Sequence, residues 1–466
     1  MLSIGRSLLV AAFVVAATPA MAQHWATVWA GGDQGPYPSG YATAQPDLAA
    51  AFAKPQSGSH EQTFRLIIKP DLWGRQMRFR LSNAFGTQPV TFDTAFAGLQ
   101  MSGAAVAPGT NRPLTFGGKK SVTVAPGAQV WTDAVTLPFV HDPGGIDLAG
   151  RKLAVTFHIP GDSGPMTWHA QAMTTSYVTA PDAGAIGELE DDSPYPYSTT
   201  SWYFLDAADA IVAPDTRVVV ALGDSITDGR ASTLNGDDRW TDVLSRRLHA
   251  VDGTHIVVVN EGISGNQVLG PADESAGHPF AGGPSAAARL DRDVLSLSGV
   301  TDVIWLEGIN DLAAGALPEA VHDGMQAVVE RIRAKIKGVK VIGATLTSSR
   351  ASTVPGYGTA DVDERRHTLN DLIRKPGLFD AVIDFDAATV DPQTGELRPD
   401  FVPPSTFGGA GDRLHPNRPG YLAMGNAVDL ELLAPATPLR QRLRPRPHPA
   451  AAPDDAGAAV TPAAPQ

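Results

Sequence analysis

The amino-acid sequence predicts a two-part chain in which an all-β sandwich precedes an α/β unit built on a parallel sheet. Three observations carry this expectation. The chain has 466 residues, too many for one ordinary domain. From about Thr63 to Leu205 apolar and polar residues alternate. From Arg217 onward, short and nearly continuous apolar runs alternate with helical patterns.

In the first half, Phe64, Leu66 and Ile68 share one face of "TFRLII". Met77, Phe79 and Leu81 alternate with Arg78 and Arg80 in "QMRFRLSN", and Leu153, Val155, Phe157 and Ile159 share a face of "KLAVTFHIP". A period of two places one face on a core and the other in water, as in antiparallel sheets. Turn signals such as "APGT", "APGA" and "DPGG" separate the runs, which suits a sandwich or jelly roll.

In the second half the runs are "RVVVAL", "HIVVVN", "DVIWLE", "KVIGATL" and "AVIDFD". Between them lie "RWTDVLSRRL", "SAAARLDRDVLSL", "LPEAVHDGMQAVVERIRAKI" and "DERRHTLNDLIRK", and "GYLAMGNAVDLELL" follows the last. Strands that are apolar on both faces, separated by helices, imply a parallel sheet covered on both sides. The change of texture falls between Asp206 and Thr216, which divides the chain into a sandwich over 23–212 and an α/β domain over 213–437.

Arg6, the apolar run Leu8–Ala17 and the small-x-small sequence Ala20-Met21-Ala22 form a signal peptide over 1–22. The apolar run is too short to span a bilayer, so export to the periplasm or beyond is expected, with cleavage after Ala22. No later segment is apolar enough to cross a membrane. The Pro-, Ala- and Arg-rich tail over 438–466, with Arg440, Arg442, Arg444 and Arg446, cannot build a core and is expected to be disordered. A net charge of −13 argues against nucleic acid or an anionic membrane surface as a partner. The absence of cysteine excludes a thiol nucleophile, disulfides, thiolate zinc sites and a lipoprotein anchor.

Gly-Asp-Ser occurs twice, at Gly161-Asp162-Ser163 and at Gly223-Asp224-Ser225. The first follows an alternating strand expected to end at Ile159, before Pro160 and Gly161, and reads as a turn. The second follows "RVVVAL" directly. That puts Ser225 at the carboxyl end of a parallel strand, where open α/β sheets bind ligands. Three other polar stretches are expected at the same sheet edge: "NEGISGN" with Gly265 and Asn266, "LEGIND" with Asn310 and Asp311, and "GDRLHPN" with Asp412 and His415. A serine hydroxyl needs a base to become a nucleophile, and the base needs an orienting carboxylate. His415 and Asp412 suit these roles. The N–H groups of Ser225 and Gly265 and the Asn310 amide suit an oxyanion hole. Asp224 reads as a helix cap. Asp237, Asp238, Arg239 and Trp240 either line a cleft or open a helix. Trp168 and His169 read as a buried aromatic and an incidental histidine, and Glu188–Asp192 as a solvated acidic loop. The remaining histidines lack metal-ligand spacing, so no metal or cofactor is expected.

With "GDSITDG", "NEGISGN", "GIND" and "DRLHPN" in this order, the stretch from about Thr216 to Leu433 resembles the SGNH hydrolases, the GDSL esterase/lipase superfamily. The resemblance implies a flavodoxin-like sheet, Ser225 as nucleophile, His415 as base, Asp412 as its orienter and a hole completed by Gly265 and Asn310. The leucine common after the serine is Ile226 here. "GDSITDGRASTLNGDDRWTDVLSRRL" and "RFRLSNAFG" are similar to a two-domain branch with a leading β-sandwich, whose members look like carbohydrate acetylesterases or arylesterases. The resemblance thus implies a serine esterase that removes short acyl groups, acetyl first, from an acylated carbohydrate or another small ester. Two other readings stay open: a lipase, lysophospholipase or thioesterase on the same residues, and a glycan-binding surface protein with an inactive hydrolase domain.

Overall fold

The computed structural model describes residues 24–54, 57–141, 145–270 and 281–433. The expected signal peptide and tail lie outside these residues. Two large antiparallel sheets dominate the first half, beside a three-stranded and a two-stranded antiparallel sheet. One pairs the strands His24–Ala30, Leu205–Val212, Gln76–Ser82 and Gln129–Trp131 in that order. The other runs through Tyr197–Thr199, Ser176–Val178, His60–Ile68, Leu153–Asp162 and Thr94–Ser102. Their facing sides bury Phe64, Phe79, Phe92, Phe157 and Phe204. Phe64 stacks on Phe157 with centroids 5.5 Å apart, and Phe92 meets Phe157 edge-on at 5.2 Å. Such offset and T-shaped pairs suit ring quadrupoles.

The second half is a five-stranded parallel sheet flanked by helices. Across it the strands run Ile256–Gly262, Arg217–Gly223, Val300–Leu306, Lys340–Ala344 and Ala381–Ile383. In chain order this is 2-1-3-4-5, the flavodoxin-like order, with its switch point beside the Arg217–Gly223 strand. Residues Val218 to Leu222 are fully buried, as the continuous apolar run requires. The helices Trp240–Asp252, Pro318–Lys335, Ala360–Arg374 and Arg418–Ala427 cover the faces. "SAAARLDRDVLSL" departs from a single α-helix: it is α-helical over Ala286–Leu290 and π-helical over Asp291–Leu295. Among the described residues no helix is long and apolar enough to cross a membrane.

Arg289 in that helix is fully buried. It donates to the carbonyls of Gly223 at 2.9 Å and Glu261 at 2.7 Å, to Asn266 Oδ1 at 2.8 Å and to Asp293 at 3.1 Å. One guanidinium therefore ties together the carboxyl ends of two adjacent strands, where the polar loops begin.

The alternating pattern misleads on one face. Arg78 and Arg80 point away from the sandwich core, yet not into water. Arg80 pairs with Asp206 at 2.8 Å and donates to Ser296 Oγ at 2.6 Å; Arg78 pairs with Asp209 at 2.8 Å. The α/β domain covers this face of the sheet, and Thr27 and Ser298 exchange hydrogen bonds across the junction. The strand through Ser163's neighbours also differs from expectation. It runs on to Asp162 through Pro160 and Gly161, with a register shift after Ile159, as a β-bulge permits.

A second polar link joins the halves nearer Ser225. His169, in the strand Thr167–His169, places Nδ1 2.8 Å from the Gly32 carbonyl and Nε2 3.2 Å from Asp228 Oδ1. Both residues are buried. Burial works against the imidazolium, but the Asp228 charge and hydrogen bonds outweigh it and raise the His169 pKa above its ordinary value. His169→Ala leaves the Asp228 carboxylate buried without its ionic partner, an expected cost of about 3–5 kcal/mol. Because the folded-state pKa is raised, this contribution is full below about pH 6.5, the ordinary histidine value, and fades as pH rises through the folded value. Thermal unfolding checks both points. The wild-type advantage over the alanine variant should be largest in mild acid, and equal melting temperatures there would refute the link.

Candidate functional site

The site grows from the end of the Arg217–Gly223 strand. A Cβ at Gly223 would lie 2.4 Å from the Leu306 carbonyl oxygen, so only glycine lets the neighbouring strand come this close. The chain then turns into a short helix, Ser225–Asp228, capped by Asp224, whose Oδ1 accepts the Ile226 N–H at 3.0 Å. The capping role expected of Asp224 is the one it has. Burial pushes its carboxyl well above the ordinary range.

Ser225 Oγ lies 2.8 Å from His415 Nε2, and His415 Nδ1 lies 2.6 Å from Asp412 Oδ2. Asp412 Oδ1 accepts the N–H groups of Leu414 at 3.0 Å and His415 at 2.9 Å. Burial opposes ionisation of Asp412, but the His415 hydrogen bond and charge, with these two N–H groups, hold its carboxyl well below the ordinary range. An ionised carboxylate has no proton to give, so Nδ1 carries the ring hydrogen and Nε2 is left to accept from Ser225. For His415 itself, burial is the largest influence and lowers its pKa below the ordinary value. Asp412 and Asp228 oppose that shift, and Arg230 adds to it. The arrangement can therefore take a proton from a serine hydroxyl at neutral pH.

Gly265 and Asn310 line the same cleft, about 260 Å³ in volume, as Ser225 and His415. Gly265 has φ +86°, and a Cβ there would meet the Tyr41 ring at 2.6 Å, so glycine is required for both conformation and space. Among the described residues, neither the Ser225 nor the Gly265 N–H finds an acceptor. Asn310 accepts the Tyr357 hydroxyl at 2.7 Å on Oδ1 and donates once from Nδ2, to the Asn266 carbonyl at 2.7 Å. This fixes the amide's orientation and leaves its second N–H available. Four of the five residues singled out from the sequence thus line one cleft with three unused donors, and Asp412 stands behind His415.

Supporting residues escape a motif reading. Asp228 Oδ2 accepts both the N–H and the hydroxyl of Ser264, at 2.9 and 2.8 Å, and so holds the residue before Gly265. Asp311 accepts the Val268 and Leu269 N–H groups at 2.9 and 2.8 Å, fixing the other side of that loop. Burial lifts its pKa to about 6. Tyr41 and Tyr357 come from irregular segments with no period to reveal them. Only the position of Asp228 at the end of "GDSITD" offered a signal. His169, read from the sequence as incidental, is instead Asp228's partner. Arg239 donates to the carbonyls of Asp228 at 2.6 Å and Ala172 at 2.8 Å, and the helix starting at Trp240 follows it. The Asp237–Trp240 stretch therefore opens a helix and does not line the cleft. Ser163 is buried, accepts the Ser59 N–H at 3.0 Å and donates to the Gly164 carbonyl at 2.8 Å. Its hydroxyl is engaged by backbone, directly after a strand that runs on to Asp162 in place of the expected turn.

Residues 221–423 match the model of the GDSL-like lipase/acylhydrolase family. No curated protein matches the chain. Similar solved structures include a carbohydrate acetylesterase from Sinorhizobium meliloti, 17% identical, covering 46% of this chain and 96% of that one with a TM-score of 0.35. An aryl esterase from M. smegmatis is 18% identical, with the same coverages and TM-score. A GDSL-like lipase from Bacteroides thetaiotaomicron is 18% identical, covering 47% of this chain and 88% of that one with a TM-score of 0.34. Over residues 221–423 the chain is thus similar to the GDSL-like lipase/acylhydrolase family, which is consistent with a carboxylic ester hydrolase.

Proposed function

We propose that the protein is an exported serine esterase that removes short acyl groups, acetyl first, from an acylated carbohydrate or a similar small ester. The observation that carries the chemistry is the hydrogen-bonded series Ser225–His415–Asp412 beside three unused N–H donors. In the first step His415 takes the Ser225 proton as Oγ bonds to the ester carbonyl carbon. The oxyanion forms against the Ser225 and Gly265 N–H groups and the Asn310 amide. Collapse breaks the bond to the leaving alcohol, which receives the proton from His415 and leaves an acyl-enzyme. Water then gives its proton to His415, attacks the acyl carbon and releases the acid, and Ser225 regains its proton. Asp412 orients the ring and stabilises its charged form throughout.

The aromatic walls Tyr41 and Tyr357 of the cleft suit the face of a sugar ring. The apolar run Leu8–Ala17 followed by Ala20-Met21-Ala22 supports export. Its test is the mass of the protein recovered from outside the cytoplasm, which should correspond to an N-terminus at Gln23.

Ser225→Ala should lower kcat by about 10⁴-fold or more on p-nitrophenyl acetate and abolish labelling by a fluorophosphonate. Wild-type protein that stays unlabelled would instead favour an inactive binding protein, and preference for long acyl chains a lipase. Asn310→Ala should lower kcat by about 10²–10³-fold with little change in KM. An effect confined to KM would make Asn310 a binding residue. Because the His415 pKa is lowered, its neutral form persists into mild acid. The acid limb of kcat/KM should therefore fall below the ordinary histidine value of about 6.5, and a limb above it would contradict the burial of the base.

A further inference from the structure

We infer that Arg230 binds a negative charge carried by the substrate, so that the preferred esters bear a carboxylate. This deepens the proposed esterase function and rests on it. Arg230 lines the cleft with Ser225 and His415, five residues after the nucleophile. Its backbone is held firmly. The Arg230 N–H donates to the Ser225 carbonyl at 2.9 Å, and its own carbonyl accepts the hydroxyl of fully buried Tyr421 at 2.6 Å. Its guanidinium, by contrast, has no hydrogen bond, ion pair or ring contact among the described residues. Among the described residues the only other arginine in that state is Arg75, which is exposed, whereas Arg230 is half-buried.

That is unusual in a chain with 49 acidic against 36 basic side chains, where carboxylates to pair with are plentiful. A guanidinium stays charged at any working pH, and partial burial without a partner costs solvation that a bound anion would restore. Among the described residues no carboxylate lines the cleft, and Arg230 and His415 are its only basic side chains. The walls, with Tyr41, Val354, Pro355 and Leu414, are poor in competing charge. Such a cleft concentrates the positive potential on an entering anion. The guanidinium fork matches a carboxylate in two parallel hydrogen bonds. The fitting substrate class is therefore an acylated acidic sugar, or an ester whose acyl group is itself a half-acid.

The test compares wild type, Arg230→Gln and Arg230→Lys on three esters: O-acetylated methyl galacturonate, O-acetylated methyl glucoside and the p-nitrophenyl hemisuccinate. The quantity read is the ratio of kcat/KM for each acidic ester to that for the neutral one. Arg230→Gln should lower that ratio by about 10- to 100-fold, the value of a hydrogen bond to a charged group, chiefly through KM. Arg230→Lys should keep part of it, since the charge remains without the fork. Which acidic ester loses more tells whether the charge sits on the alcohol or the acyl side. His415 faces Asp412, Asp228 and Arg230, so removing the cation should also move the acid limb for the neutral ester to higher pH. A merely structural arginine would lower all three rates alike, and an unchanged ratio overturns the inference. Failure of wild type to cleave any ester would instead strike at the esterase function itself.

Discussion

The structure depends on one buried carboxylate. Asp228 closes the helix that begins with Ser225, and its two oxygens face opposite ways. Oδ1 meets His169 from the sandwich, while Oδ2 holds Ser264 by its N–H and hydroxyl. The nucleophile's helix, the loop that presents Gly265 and the first half of the chain thus share a single anchor. A buried carboxylate is costly unless its oxygens are hydrogen-bonded, and both oxygens of Asp228 are. The sandwich is therefore part of what fixes the geometry around Ser225, and Tyr41 carries it to the cleft's wall.

The parallel sheet was legible in the sequence because burial on both faces writes continuous apolar runs, and five such runs became five strands. The chemical residues were legible because sheet topology sends the loops after successive strands to one edge. Other features were hidden for identifiable reasons. The short helices Ser225–Asp228, Ile309–Ala313 and Phe385–Thr389 span too few turns to show a period. Arg78 and Arg80 carry the signature of a solvated face, and their partners Asp206 and Asp209 lie about 130 positions later. A local pattern cannot tell a charge in water from one that meets its counter-charge across a domain boundary.

Tyr357, Tyr41 and Arg230 illustrate a second limit. Each sits in an irregular segment whose course is set by packing elsewhere. Tyr357 matters because its hydroxyl orients the Asn310 amide, a fact of three dimensions without any sequence spacing behind it. His169 is the sharper case. A single histidine on a buried strand is most often only a packed side chain, and it is the opposing Asp228 that gives this one a task. The motif residues thus mark where the site lies, and the residues without motifs decide how rigidly it is held.

The distance along the chain between the two reacting side chains has a further consequence. Ser225 and His415 are separated by 190 positions, and among the described residues the histidine loop is followed by the helix Arg418–Ala427 and a 3-10 turn at Leu430–Leu433. A chain made from its amino end can complete the sandwich and most of the sheet while its serine still lacks a base. The Ser225–His415 hydrogen bond therefore forms only once the segment after the Ala381–Ile383 strand has docked. A chain cut short anywhere before His415 lacks the partner of Ser225, however well its earlier strands have packed.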